Sequence, residues 1–494
     1  MTPHLRWNPL AALAAALLLA ACGGQPSQPP GAPGTAPQGL DAASTGLAYY
    51  PLLTPFDLLD TQDTRFPVAA YYAPGTFLRG VLTYPVRAIG AVPAAARAVV
   101  ARVALTEYSG EWADCYWYWN DSSAQEEFVC PWTYNDVGNE PGSPSRYPVV
   151  KFSAAGVPGY IRLGSGPARP TSQVVILPLS ADGTLTVETQ SGVNVHVELL
   201  GYLAAPSPGG LYLHLLSRPR NLFATLQSSP STAQGFSRLL RPGESLRLPV
   251  QGTWTTDVRD ANGLVRKEPF TVPQNARVVI GSLEAFVVPP NSTWHLPLRN
   301  AVYADGEVVP EEGTTLWDEQ VERGPFWSNV NEDGSVRLWS STDTSVSLDV
   351  TGYFSATAAD DGNGPGLLFT LAPQATAAVA TNTGNWDRRA LLTPPAGLPR
   401  APRAVSGRLH YRSVNLSHGN GALRLRIAAE DVTPAYTRAH DLVGSAEDSL
   451  DETTFVSRLG AGNALNFLIQ MNIDNPPATD HLEVDVFGWW TAAQ

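Results

Sequence analysis

The residues whose types and spacing best suit chemistry lie in one segment, Tyr108–Tyr134, which reads YSGEWADCYWYWNDSSAQEEFVCPWTY. In a strand, successive side chains alternate between faces, so Tyr116-Trp117-Tyr118-Trp119 would set two aromatics on each side. Tyr and Trp join a flat apolar body to a polar handle, which suits stacking on sugar rings or protein surfaces. Tyr116, Trp117, Tyr118, Trp119 and Trp132 are therefore the candidate ligand or partner contacts. The competing reading is that both faces are covered by the rest of the segment or by a neighbouring domain. Cys115 and Cys130 flank the aromatic run. In an exported chain such a pair is expected as a disulfide rather than as a catalytic or metal site.

Other reactive patterns are weak. Glu198, Asp349 and Asp485 recur at one repeat position, but they fall in separate copies on what reads as the outer face of a strand. Cross-strand pairing with arginine accounts for them without metal or acid–base work. Asp360-Asp361 sits in a linker, and neither it nor Glu447-Asp448 with Asp451-Glu452 has the alternating ligands of an EF-hand loop. His196 and Glu198 share a strand face with no third ligand nearby. There is no His-Glu-x-x-His and no Gly-x-Ser-x-Gly. No catalytic residue, metal ligand or cofactor is assigned. A hydrolase or metalloprotein built from distant loops remains a third-ranked reading.

The chain opens with His4 and Arg6, then an apolar run from Leu10 to Ala21 that is too short to span a bilayer and suits a secretory signal. The run closes on Leu19-Ala20-Ala21-Cys22-Gly23-Gly24, which resembles the bacterial lipobox. That resemblance implies that the Cys22 thiol is lipidated and that the chain is cut before it. Acyl chains contribute about 0.8 kcal/mol per buried CH₂, so two or three hold a protein on a membrane. The expected location is the cell envelope, facing the periplasm or the exterior. Residues 23–45 are rich in Pro and Gly and read as an extended tether. The formal net charge of −13, with no basic block, argues against nucleic acid as a partner.

The remainder repeats. Three segments end in VHVELLGYL (195–203), VSLDVTGYF (346–354) and LEVDVFGWW (482–490). Counted from the glycine, positions −6, −4 and −2 are aliphatic and position −3 is acidic. That period of two marks a half-buried strand. Asp182-Gly183 and Asp333-Gly334 sit where hairpin turns belong. Val92-Pro, Val272-Pro and Leu398-Pro each precede an aliphatic strand ending the same stretch. The pattern resembles a tandem repeat of secreted bacterial surface proteins. In that repeat, an opening strand with Leu-Leu-Asp-Thr-Arg is followed by Val-Pro and a Val-rich strand. A closing strand reads Asp-Val-x-Gly-Tyr-Phe. Copy one keeps Leu58-Leu59-Asp60-Thr61, and Leu215-Leu216 is taken as its counterpart in copy two. Copy three, at Phe369-Thr370-Leu371-Ala372, has lost the signature.

The expected architecture is all-β: three tandem β-sandwich domains of jelly-roll or Ig-like type after a signal peptide (1–21) and a lipidated tether (22–45). Sandwich one spans 46–204 and carries the aromatic insertion; sandwiches two and three span 208–355 and 364–494. The stretches 204–210 and 355–366 read as linkers between separate cooperative units. The expected role is that of a lipid-anchored, non-enzymatic envelope protein, structural or adhesive. Its partners would be the membrane, through the anchor, and envelope or surface-layer proteins. The alternative is a carbohydrate-binding lipoprotein whose Tyr116–Trp119 region takes cell-wall or surface glycans.

Overall fold

Each copy lays down four antiparallel strands in one lateral order: opening, closing, inner and edge. In copy one these are Ala48–Asp60, Leu185–Ala204, Ala98–Tyr108 and Thr171–Pro178. In copy two they are Tyr212–Thr225, Thr344–Ser355, Ala276–Val287 and Val321–Asn329. In copy three they are Leu367–Thr381, Asp480–Ala492, Pro402–Ser413 and Leu450–Arg458. The computed structural model describes residues 46–61, 78–89, 91–108, 116–120, 125–129, 149–164, 171–225, 232–259, 265–287, 298–307, 314–316, 321–381, 386–413, 422–429, 442–445, 450–471 and 480–493. The protein is all-β; the one helical element among these residues is a 3-10 turn at Val86–Ile89.

A second layer backs each of these sheets. In copy one, Leu185–Ala204 serves both layers. Its first half pairs with Leu78–Tyr84 and Val149–Ser153, and its second half pairs with the opening and inner strands. Copy two uses Ser245–Pro249, Ser335–Ser340, Leu298–Tyr303 and Thr314–Leu316. Copy three uses Trp386–Leu391, Ala464–Met471, Ala422–Ala429 and Leu442–Ser445. The turn signals hold where the sequence places them. Gly183 and Gly334 take φ of +76° and +80°, a conformation open to glycine, and each closes its turn with a backbone hydrogen bond of 2.9 Å. The third copy makes the corresponding turn at Ala461-Gly462-Asn463, without an Asp-Gly pair.

Period-two alternation gives every front sheet two apolar faces. Val99, Val103, Val197 and Leu199 face the core of copy one, and Val279, Leu283, Leu348 and Val350 face that of copy two. The opposite faces meet in a single core shared by all three copies. Tyr49, Val100 and Leu203 come from copy one, Ile280, Trp327 and Phe354 from copy two, and Phe369, Ala404 and Trp490 from copy three. Its rings interlock edge to face or tilted: Tyr49 lies 5.4 Å from Trp327 and 4.8 Å from Phe354, and Trp490 lies 4.9 Å from Phe369. Such pairs contribute about 0.5–1.5 kcal/mol each beyond the area they bury.

The starts of the opening strands close a ring of backbone pairings around this core. Leu47 and Phe369 exchange hydrogen bonds of 2.7 and 2.9 Å, and Tyr49 and Leu211 exchange bonds of 3.0 and 2.7 Å. Leu213 pairs with Leu367. Leu47, Leu211 and Leu367 occupy one position of the repeat, and Tyr49, Leu213 and Phe369 occupy the position two residues on. Each copy thus pairs its first position with the third position of another, and the ring closes with pseudo-threefold symmetry.

The repeat glycine follows from this ring. Gly201, Gly352 and Gly488 each face the opening strand of their own copy. A Cβ at Gly488 would lie 2.2 Å from Phe369 Cζ, and one at Gly201 would lie 2.5 Å from Tyr49 Cε2. No side chain fits while those rings fill the shared core.

Residues 42–494 form one compact unit. The stretches between copies are stitched to it rather than free. The Tyr50 hydroxyl donates to the Ala205 carbonyl at 2.9 Å and accepts from Ser207 N–H at 2.8 Å. The Tyr353 hydroxyl donates to Asp361 at 2.6 Å, and the Arg458 guanidinium donates to Asn363 O at 2.5 Å. Composition alone suggested free connectors; the hydrogen bonds come from strands on either side. The motif alignment is also corrected. Thr61 Oγ1 accepts from Val195 N–H at 3.0 Å and Thr225 Oγ1 accepts from Val346 N–H at 2.7 Å. The counterpart of Leu58-Leu59-Asp60-Thr61 is therefore Leu222-Phe223-Ala224-Thr225, not Leu215-Leu216.

Candidate functional site

Of the three acidic residues at position −3, Glu198 and Asp349 are buried and the Asp485 side chain is largely covered, so none stands on an open solvent face. The face opposite each copy's own core is covered by the other copies, so alternation places these side chains inside. Glu198 pairs with Arg102, its cross-strand neighbour. Asp485 pairs with Arg408 at 2.6 Å, and Arg408 is wholly buried. In copy two Ser282 stands at the arginine position, and Asp349 instead accepts from Asn221 Nδ2 at 2.7 Å. Arginine pairing, the reading drawn from sequence, accounts for two copies, and an amide serves the third. Buried charges demand such partners. The geometry is that of internal ties, spaced around the shared core rather than converging.

Sequence reasoning missed three polar groupings. Glu307 lies between copies one and two, accepting from Ala304 N–H at 3.0 Å and from Asn329 Nδ2 at 2.9 Å. Asn329 Nδ2 also reaches the Leu52 carbonyl at 2.8 Å. Burial pushes the Glu307 carboxyl above its ordinary range, with those hydrogen bonds pulling back. The Tyr49 hydroxyl is pushed far up, by burial first and by the Glu307 charge second. His214 is fully buried, stacked on Tyr353 at 5.2 Å. Its Nε2 lies 2.8 Å from Thr357 O, and its Nδ1 lies 3.1 Å from Gly364 O and 3.3 Å from Asp361. It fastens the 355–366 stretch. Arg220, also buried, pairs with Glu268 at 2.9 Å on the ribbon Gly252–Arg259/Val265–Val272. Only knowledge of which strands become neighbours would have found these.

A narrow cavity lined by all three copies has about 20 Å³ open to a water-sized molecule. Val174, Ile280, Trp327, Thr351, Ser406 and Val456 are among its lining residues. The Thr351 hydroxyl is buried there without a protein partner. That is room for one water, whose hydrogen bond would satisfy Thr351. Among the described residues, no group of three or more His, Cys, Asp or Glu could hold a metal ion.

Tyr116, Trp117, Tyr118 and Trp119 fall on a strand, Tyr116–Asn120, which among the described residues pairs with Gln125–Val129 alone. Cys22, Cys115, Cys130 and Trp132 lie outside the described residues. The inner strands fix where this ribbon leaves the body. Ala98 pairs with Leu203 beside the ring, and Tyr108 with Val193 at the far end. The ribbon follows Tyr108, so the chain departs toward it from the end opposite the ring. Val287 and Ser413, the last residues of the other two inner strands, are at that same end. Gly46, both inter-copy stretches and Ala493, whose N–H meets Gly366 O at 2.8 Å, gather at the ring end.

No protein-family model matches the sequence, and no curated protein is detectably similar to it. Among solved structures, isomalto-dextranase from Arthrobacter globiformis T6 complexed with panose is 11% identical, with 50% of this chain and 39% of that one covered at a TM-score of 0.14. The tandem CBM22-1–CBM22-2 domains of Xyn10C from Paenibacillus barcinonensis are 11% identical, with 52% and 100% covered at a TM-score of 0.11. The chain spans about two fifths of the first of these. Likenesses at these TM-scores carry no argument about activity.

Proposed function

We propose that the protein is a lipid-anchored, non-enzymatic envelope scaffold of bacteria, held by acylated Cys22 and serving a structural or adhesive role. The observation that carries this reading is the division of the body into two ends. The chain enters at Gly46 beside the closed ring, and the inner strands release their connections at the opposite end. With the chain entering at the ring end, the opposite end is the one proposed to meet envelope or surface-layer proteins. The shared core supports mechanical service, because load on one copy passes through backbone hydrogen bonds into the next. The polar clusters support the same reading: they are occupied with internal ties, most within one copy and one, Asn329 to Leu52, between two.

The test follows the anchor and the partner together. Wild-type protein should incorporate labelled fatty acid, sediment with membranes and bring envelope proteins with it after mild solubilisation. Cys22→Ala should lose the label and the sedimentation while keeping the body folded. A wild-type protein that is never acylated, or that purifies alone from crosslinked envelopes, would defeat the proposal.

A further inference from the structure

Beyond the scaffold reading, we propose that the Tyr116–Asn120/Gln125–Val129 ribbon is a binding element for neutral polysaccharide. Its face carrying Trp117, Trp119 and Phe128 would form the platform. The register pairs Trp117 with Phe128 and Trp119 with Glu126. Strand alternation places Trp117, Trp119, Glu126 and Phe128 on one face, and Tyr116, Tyr118, Glu127 and Val129 on the other. One face thus gathers three aromatics with a single carboxylate. Aromatic faces stack on the C–H faces of pyranose rings, and a carboxylate accepts from sugar hydroxyls.

Charge selects the class of polymer. Residues 116–129 contain no Lys, Arg or His and carry Asp121, Glu126 and Glu127, on a chain of net charge −13. Such a surface repels polyanions, including phosphate- and uronate-rich polymers and nucleic acid, and leaves uncharged glycans as the matching ligand. The ribbon follows in sequence from Tyr108, which lies at the end of the body away from the ring.

The same register also bears on how the ribbon keeps its shape. Tyr116 pairs with Val129, and Cys115 and Cys130, which lie outside the described residues, adjoin these two in sequence. The two thiols would give up two protons and two electrons to a disulfide-bearing oxidant of the envelope by thiol–disulfide exchange, forming the Cys115–Cys130 bond as the oxidant's bond is reduced. A lone two-stranded ribbon is marginal in water, so this brace would preorganise the platform.

Calorimetric titration of the mature protein with cellohexaose, chitohexaose and maltohexaose tests the idea. Micromolar binding of at least one is expected. Trp117→Ala or Trp119→Ala should weaken it about 30-fold, the usual loss at a stacking hot spot. Tyr116→Ala and Tyr118→Ala, on the other face, should change it little. Trp119→Phe should restore most of the affinity, which separates lost stacking from a collapsed ribbon. Reductant should weaken the wild type but leave Cys115→Ser/Cys130→Ser unchanged. The proposal is overturned by no binding of any hexaose at millimolar concentration, by preference for an anionic polymer, or by equal losses from both faces. Capture of a protein through the Trp face, with no glycan bound, overturns it too. None of these results bears on acylation or envelope association, so the scaffold reading stands or falls separately.

Discussion

Replacing Arg408 with Met leaves Asp485 inside the protein without the guanidinium 2.6 Å away. Arg408 is wholly buried, whereas the Asp485 side chain keeps 16% of its surface exposed. Breaking a buried pair by removing one partner costs about 3–5 kcal/mol, because the remaining charge has lost its solvation. The residual exposure of Asp485 puts the expected loss near the lower limit, about 3 kcal/mol, or about 150-fold in the folded-to-unfolded ratio. Removing both charges in Arg408→Met/Asp485→Leu should recover most of that loss, since an apolar pair of similar volume carries no desolvation penalty. Copy two supports this logic within the same chain. Ser282 replaces the arginine there, and Asn221 supplies Asp349 with an uncharged donor while also reaching Ser347 at 2.6 Å. Urea unfolding followed by tryptophan fluorescence measures the three stabilities, with the slope checking that the unfolded state is unchanged. If the single variant unfolds with wild-type stability, or the double variant is no better than the single, the pair does not stabilise the fold as argued.

Gly488→Ala should lower stability by about 2–3 kcal/mol through overpacking against Phe369 and the Thr370 carbonyl, read as a fall in melting temperature; an unchanged melt would show that the ring can give way. Glu307 has a folded-state pKa above its unfolded one, so its contribution is fully present below the unfolded value and is lost as pH rises through the raised one. The stability difference between wild type and Glu307→Gln should therefore move in the variant's favour from pH 4 to pH 7, and a flat difference in paired melts would refute the burial argument. Brief proteolysis should spare 204–210 and 355–366, because Tyr50, Tyr353, His214 and Arg458 fasten them; early cleavage there, read by mass spectrometry, would mean that the copies come apart.

What the sequence made legible was local. Aliphatic alternation ending in Gly201, Gly352 and Gly488 located the closing strands, because a period of two and a forced glycine are properties of a few consecutive residues. The opening strand of copy two departs from copy one in side-chain type rather than in length: Pro51 stands opposite Gly201 as Leu215 stands opposite Gly352. The register jumps from Pro51 to Phe56 in copy one, from Leu215 to Arg220 in copy two and from Leu371 to Gln374 in copy three. A leucine pair therefore does not mark equivalent positions, whereas Thr61 and Thr225 do, by the backbone groups they serve. The platform face of the ribbon was legible as two aromatics on each side, but Phe128 joins Trp117 only through pairing.

The acidic position was placed on the wrong side for a reason that reaches the whole fold. A strand face bearing Glu198 and Leu200 looks half-polar, and periodicity by itself assigns such a face to solvent. Leu200 in fact packs in the shared core, and Glu198 is 8% exposed. A copy whose sheet is apolar on both sides cannot bury itself alone; its second face needs another copy. That requirement explains why the chain repeats three times: with three sheets each face meets its neighbours and the ring of opening strands leaves no unpaired end at Leu47, Leu211 or Leu367. It also explains why the polar residues on those faces come as partners rather than as a solvated stripe. Once the neighbours close over them, any unmatched charge would carry the full cost of desolvation.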